Sequence, residues 1–155
     1  MNTGPATLAR VLLALVIGLL IVPAGGAQSL PQPVADLIAG AKAQIRTIDM
    51  QTFKARFDRK ALGLIIDVRE PAEYAQGHIP GAINIPRGVI EFKIWSYVGF
   101  PDKLDMREQI TLYCGSGARC VLATKSLQDL GLKNVVAADM SMQSWAGAGY
   151  PLVRD

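Results

Sequence analysis

Ile110-Thr111-Leu112-Tyr113-Cys114-Gly115-Ser116-Gly117-Ala118-Arg119-Cys120-Val121 runs from an apolar segment through a glycine-bearing loop into a helical pattern. Ile110 to Tyr113 reads as a buried strand. Val121 to Leu130 reads as a helix, with Gly131 at its C-terminal cap position. A strand, a tight loop and a helix in that order begin a strand-helix-strand unit, and Val135 to Ala138 supplies the returning strand.

Upstream the same alternation repeats. Gly63 to Val68 is an apolar run broken only by Asp67, as in a parallel strand buried on both faces. Ala82 to Ile85 lies between Pro80-Gly81 and Pro86 and reads as another strand, while Ile45 and Ile48 mark a short first one. Asp49 is placed to cap a helix that carries Met50, Phe53 and Phe57 on one face. Glu70 to Ala75 is a short proline-led helix stopped at Gly77, and Ile90, Ile94 and Val98 predict a helix over 89–98. A last short helix surrounds Trp145, and the proline-led stretch Ser29 to Ala43 predicts a lead-in helix that docks on the domain. The expected fold class is α/β, a five-stranded parallel sheet with helices on both faces. In such sheets ligands bind beyond the carboxyl ends of the strands, which points to Asp67-Val68-Arg69 and to Cys114.

Composition narrows the function classes. The chain has 155 residues, half of them apolar and 19% charged, a balance that fills one core and argues against disorder. A formal charge of +3 over that length is too weak a field for a nucleic-acid partner. Two cysteines and one histidine supply neither a zinc site without carboxylates nor a disulfide scaffold, so no metal is expected. Near the start, Val11 to Val22 is apolar throughout, shorter than the roughly 20 residues of a membrane span and within the roughly 7 to 15 of a secretory signal core. Pro23 and the small residues Ala24-Gly25-Gly26-Ala27 follow, so residues 1–27 read as a signal peptide cleaved after Ala27, with an uncleaved anchor as the alternative. Either form places the remainder outside the cytoplasm, in the periplasm, with membrane contact only through that segment if it is kept. Residues 28–44 form the lead-in and 45–155 the domain proper.

The loop after Tyr113 carries the chemistry. Its two glycines permit backbone conformations closed to other residues, so consecutive N–H groups of Gly115, Ser116, Gly117, Ala118 and Arg119 can turn inward around the Cys114 sulfur. The start of the next helix adds its positive dipole end, and Arg119 a full positive charge. All three favour thiolate, bringing a free thiol from about 8.5 to roughly 3.5–7.5, so no separate base is required. The alternative is a small buried cysteine that merely ends a strand. A ring of inward donors with no anion to bind weighs against that.

Asp67-Val68-Arg69-Glu70, Glu73-Tyr74, Gly77-His78-Ile79-Pro80-Gly81-Ala82-Ile83-Asn84-Ile85-Pro86, Cys114-x-x-Gly117-x-Arg119, Trp145 and Gly149-Tyr150-Pro151, in that order, resemble the single-domain rhodaneses over residues 45 to 153. The resemblance implies sulfurtransferase chemistry without a cofactor. Cys114 would take the outer sulfur of thiosulfate, release sulfite, and pass the sulfur to cyanide or a thiol acceptor. The N–H groups from Gly115 to Arg119 would hold the persulfide, Arg119 would attract the small anionic donor, and Asp67 and Arg69 would brace the loop and sheet edge. Two departures from the family pattern stand out: Met140-Ser141 replaces a Gly-Gly pair ahead of the tryptophan, and Cys120 stands where serine is usual.

Several other readings bear on the same residues. Phosphatases built on a cysteine loop use Cys-x5-Arg; Cys114 to Arg119 is Cys-x4-Arg, a tighter ring sized for one extra sulfur. A Cys114–Cys120 disulfide, suited to an oxidising compartment, would make the protein a redox or persulfide-handling factor. A non-catalytic binding module is a third possibility. His78 is expected in a structural turn. Trp95, Tyr97 and Phe100 are expected in the core or at a pocket rim, and Arg87, Lys93 and Lys103 are either solvated charges or a steering field for an anionic donor.

Overall fold

The computed structural model describes Met1 and residues 29–154, so the expected signal segment, residues 1–27, lies outside the described residues from residue 2 onward. Five parallel strands form one sheet in the order β1-β5-β4-β2-β3. They are β1 (Arg46–Asp49), β2 (Leu64–Asp67), β3 (Ile83–Asn84), β4 (Gln109–Tyr113) and β5 (Asn134–Asp139). The central pair is in register from Gln109 opposite Asn134 to Leu112 opposite Ala137, and β2 aligns Asp67 with Tyr113 of β4. That register brings Asp67 and the entrance to the cysteine loop to the same end of the sheet.

Helices cover both faces, as the α/β alternation requires. One face packs α1 (Gln32–Lys42), α4 (Ile90–Lys93) and α5 (Ala118–Asp129) over Ile66, Ile110, Leu112 and Val135. The other packs α2 (Met50–Asp58) and α6 (Met142–Gly147) around Phe53, Tyr113 and Trp145. Trp145 meets Phe53 edge-on at 5.4 Å and Tyr150 at 4.8 Å, and its indole N–H donates to the Pro151 carbonyl at 2.9 Å. A buried indole with its polar atom satisfied is a strong anchor for this face.

Local chemistry explains the element starts. The Asp49 carboxylate accepts the Thr52 N–H at 2.7 Å and caps α2. Glu70 and Glu73 form a reciprocal capping box around α3 (Pro71–Ala75). Ser141, one of the two departures from the family pattern, accepts the Ser144 N–H at 2.9 Å and starts α6, while Met140 is buried against Trp145 and its neighbours. The lead-in helix α1 lies against α5 with Ala41 buried, and Lys42 reaches Asp139 at 2.7 Å.

Two elements differ from the sequence expectation. The helix predicted over 89–98 is a 3-10 turn (Arg87–Val89), the single α turn α4, and a second 3-10 segment (Ile94–Val98) ended by Gly99 in the left-handed region. Ile90, Ile94 and Val98 are nevertheless all buried, so the apolar spacing reported the covered face and not the helix type. The helix expected from Val121 begins three residues earlier, at Ala118, because Gly117 at φ 92° turns the chain at once into its first turn.

Candidate active site

Cys114 follows the last residue of β4 and exposes none of its surface. Gly117 takes a left-handed φ of 92°, a conformation costly for any residue with a Cβ, and this turn aims its N–H at the Cys114 Sγ, 3.2 Å away. The N–H of Cys120, in the first turn of α5, reaches the same sulfur at 3.4 Å. Gly115 serves differently: a Cβ there would lie 3.1 Å from Arg119 Nη2, so its bareness admits the guanidinium. The Gly115 carbonyl accepts the Met142 N–H at 3.0 Å, tying the loop to α6.

These contacts set the charge on the sulfur. The Cys114 thiol is lowered from an ordinary 9.0 to about 6, first by a hydrogen bond from the Cys120 side chain. Burial opposes the shift, and the backbone N–H groups of Cys120, Ser116 and Gly117 add to it. Cys114 is thus mostly thiolate at neutral pH. Cys120 is its complement, pushed well above its ordinary range by that neighbour and by burial. Its Sγ also donates to the Gly117 carbonyl at 3.0 Å. Both thiols are free, with no disulfide between them.

Arg119 is not the bare charge expected from sequence. Its guanidinium pairs with Glu73 through two bonds of 2.6 and 2.8 Å, and Glu73 falls to about 2 chiefly through that bond. Glu73 comes from α3, where the capping box has already fixed its orientation. Asp67 and Arg69 form a second, buried pair with contacts of 2.6 to 3.0 Å, and Arg69 extends to the Gly77 carbonyl at 2.7 Å. Asn84 donates to the backbone carbonyls of Asp67 and Arg69. The Tyr113 hydroxyl accepts the Ile79 N–H at 3.1 Å, so the residue before the cysteine is held across the sheet end.

Cys114, Gly115, Ser116, Gly117, Ala118 and Arg119 therefore come together in one loop, with Asp67 and Arg69 on the adjoining strand end. Two partners escaped sequence reasoning: Cys120 as a thiol donor to Cys114, and Glu73 as the counter-ion of Arg119. The signal for the first was the replacement of serine at 120; for the second it was Glu73's place in the Glu-Tyr motif. His78 is buried, exchanges backbone hydrogen bonds with Val153 and stacks on Tyr74 at 3.6 Å. Trp95, Tyr97 and Phe100 line a shallow surface depression with Phe92 and Lys93, Tyr97 and Phe100 being exposed and not in the core. Arg87 is engaged by Glu91 and Ser126, which removes it from any free steering charge. Among the described residues no cluster of metal-ligating side chains occurs, and no helix is long and apolar enough to cross a membrane.

Comparison with known proteins places the chain in a family. The Bacillus subtilis putative sulfur carrier protein YrkF is 31% identical over 68% of this chain, and the chain spans about half (53%) of that relative. The thiosulfate:glutathione sulfurtransferase of Saccharomyces cerevisiae is 32% identical over 65% of this chain and 76% of its own length. A solved Rhodopseudomonas palustris protein of unknown function, described as a possible tyrosine phosphatase, superposes with a TM-score of 0.67 at 28% identity, over 83% of this chain and all of that one. Sulfur transfer is the chemistry that the sequence relatives support in general. The rhodanese-like domain family matches residues 49–148, and the chain belongs to that family.

Proposed function

We propose that the protein is a sulfurtransferase that carries sulfane sulfur on Cys114, taking it from thiosulfate and handing it to cyanide or a thiol. The observation that carries this reading is the Cys114 sulfur held by the Gly117 and Cys120 N–H groups at 3.2 and 3.4 Å, contacts that help lower its thiol to about 6. The thiolate attacks the outer sulfur of thiosulfate, the S–S bond breaks, and sulfite leaves with the bonding pair. The negative charge now sits on the terminal sulfur, where the loop N–H groups from Gly115 to Arg119 stabilise it. An acceptor then attacks that sulfur and restores the thiolate. Loading needs no base, because Cys114 is ionised before the donor arrives; in the transfer step cyanide attacks as the anion and a thiol acceptor as its thiolate, its proton released to solvent.

Because Cys114 is sealed in the resting protein, the donor enters by competing with Glu73 for Arg119. A dianion is suited to that exchange, since it offers the guanidinium the paired oxygens that the carboxylate gives up. Asp67 and Arg69 hold the strand end on which the loop rests. Thiosulfate as donor is supported by the yeast relative, whose name also supplies a thiol acceptor. The apolar run Val11 to Val22, followed by small residues, supports export and a periplasmic site of action. Thiocyanate formation from thiosulfate and cyanide tests the proposal: turnover that vanishes in Cys114→Ser supports it, and turnover unchanged in that variant overturns it.

A further inference from the structure

Cys120 is more than a neighbour of the reactive sulfur. It exposes no surface, it sits in the first turn of α5, and its own N–H lies 3.4 Å from the Cys114 Sγ. Its thiol lies 3.0 Å from the Gly117 carbonyl and 3.5 Å from that of Ala138, against the same loop that holds the Cys114 sulfur. In the resting protein these two reduced sulfurs have no reason to react. Once Cys114 carries a second sulfur its Sγ is no longer a thiolate but one end of an S–S bond, and so an electrophile. An external thiol must reach that sealed sulfur, whereas Cys120 is already there.

Resting on the sulfurtransferase reading above, we infer that Cys120 is a resolving thiol: on a persulfidated Cys114 it displaces the outer sulfur as hydrosulfide and closes a Cys114–Cys120 disulfide. The Cys120 proton passes to the outer sulfur, and the Cys120 sulfur attacks Cys114 Sγ. The S–S bond of the persulfide breaks as the new disulfide forms, and the outer sulfur leaves as HS⁻. The outer sulfur gains the two electrons that the pair of cysteines loses, so the persulfide is the oxidant and no other is needed. Donor without an acceptor then yields one hydrosulfide per chain and a closed site, which a dithiol reductant reopens. With an acceptor in excess, transfer competes with closure. The device makes the protein a single-turnover source of sulfide that shuts itself off when acceptor runs out.

The test is intact-mass measurement of the full chain, reduced and then mixed anaerobically with thiosulfate, beside Cys120→Ser and a control without donor. The inference predicts that wild type ends two hydrogens lighter, releases one hydrosulfide, and yields a peptide linking Cys114 to Cys120, while Cys120→Ser keeps the mass of one added sulfur and releases none. A wild-type chain that holds the added sulfur without releasing sulfide overturns the inference and leaves the sulfurtransferase reading standing. A donor-free control that loses two hydrogens equally overturns it, since the persulfide would not then be the oxidant. If neither protein gains sulfur, loses hydrogen or releases sulfite, the underlying reading fails and the inference falls with it.

Discussion

A thiolate sealed from water persists only if its contacts outweigh the loss of hydration. Moving Cys114 from 9.0 to about 6 represents on the order of 4 kcal/mol in favour of the ionised form. The Cys120 thiol leads that balance, followed by three backbone donors, while burial works against it. Sulfur loading should therefore rise with pH through a midpoint near 6, read as sulfite release in a single turnover. Replacing Cys120 by alanine removes the leading contact, so the midpoint should move up toward the ordinary thiol range; an unmoved midpoint would mean that the backbone donors suffice. The place of Cys114 was legible, because an apolar strand running into a two-glycine loop and then a helix sets it at the sheet end. Its partner was not, because Cys120 was expected at the very start of the helix with no way to read its distance from Cys114, whereas the observed start at Ala118 puts the Cys120 N–H in the first turn, 3.4 Å from the sulfur.

At the scale of elements, the loop works because two short segments are held from elsewhere. Gly117 must keep φ near 92° for its N–H to face inward. Gly117→Ala should cost roughly 1–3 kcal/mol of stability, as a residue with a Cβ forced into an unfavoured backbone region does. It should also slow loading, since relaxation of the turn withdraws a donor; thermal melts and sulfite bursts on the same samples would show both. The other support is the buried Asp67–Arg69 pair. Asp67→Ala strands a buried guanidinium and should destabilise by about 3–5 kcal/mol, measured by denaturant unfolding, whereas a loss under about 1 kcal/mol would show that water replaces the carboxylate. The strands, α2, α3 and α6 followed from caps and apolar runs. The Glu73–Arg119 pair did not, because the two residues are far apart in sequence and only the packing of α3 beside the loop brings them together.

Across the whole molecule, site chemistry and fold stability share the same protons. Cys114 has a folded-state pKa below its unfolded one, so the unfolded chain binds more protons between about 6 and 9.0. Its contribution to stability is full above the unfolded value and disappears as pH falls through about 6. Wild-type stability should thus rise across that window by up to a few kcal/mol relative to Cys114→Ala. Parallel unfolding curves for the two proteins over the same range would contradict the assignment of the low pKa to Cys114. The five-stranded parallel fold was readable because strands and helices alternate cleanly and each strand is a short apolar run. The fragmented 87–98 segment was not, because an apolar spacing of four satisfies an α turn and flanking 3-10 turns alike. Full burial of the Cys114 sulfur was equally hidden, since it depends on tertiary packing around the loop.

The most direct measurement is the sulfite released when micromolar reduced protein meets an excess of thiosulfate, with no acceptor, in a rapid-mixing experiment at neutral pH, since sulfite leaves at the moment Cys114 takes the sulfur, whatever happens to that sulfur next. One sulfite per chain, absent in Cys114→Ser, is the result expected. Thiosulfate left intact by the wild-type protein, or sulfite released equally by the serine variant, would contradict the assignment of sulfur transfer to this cysteine.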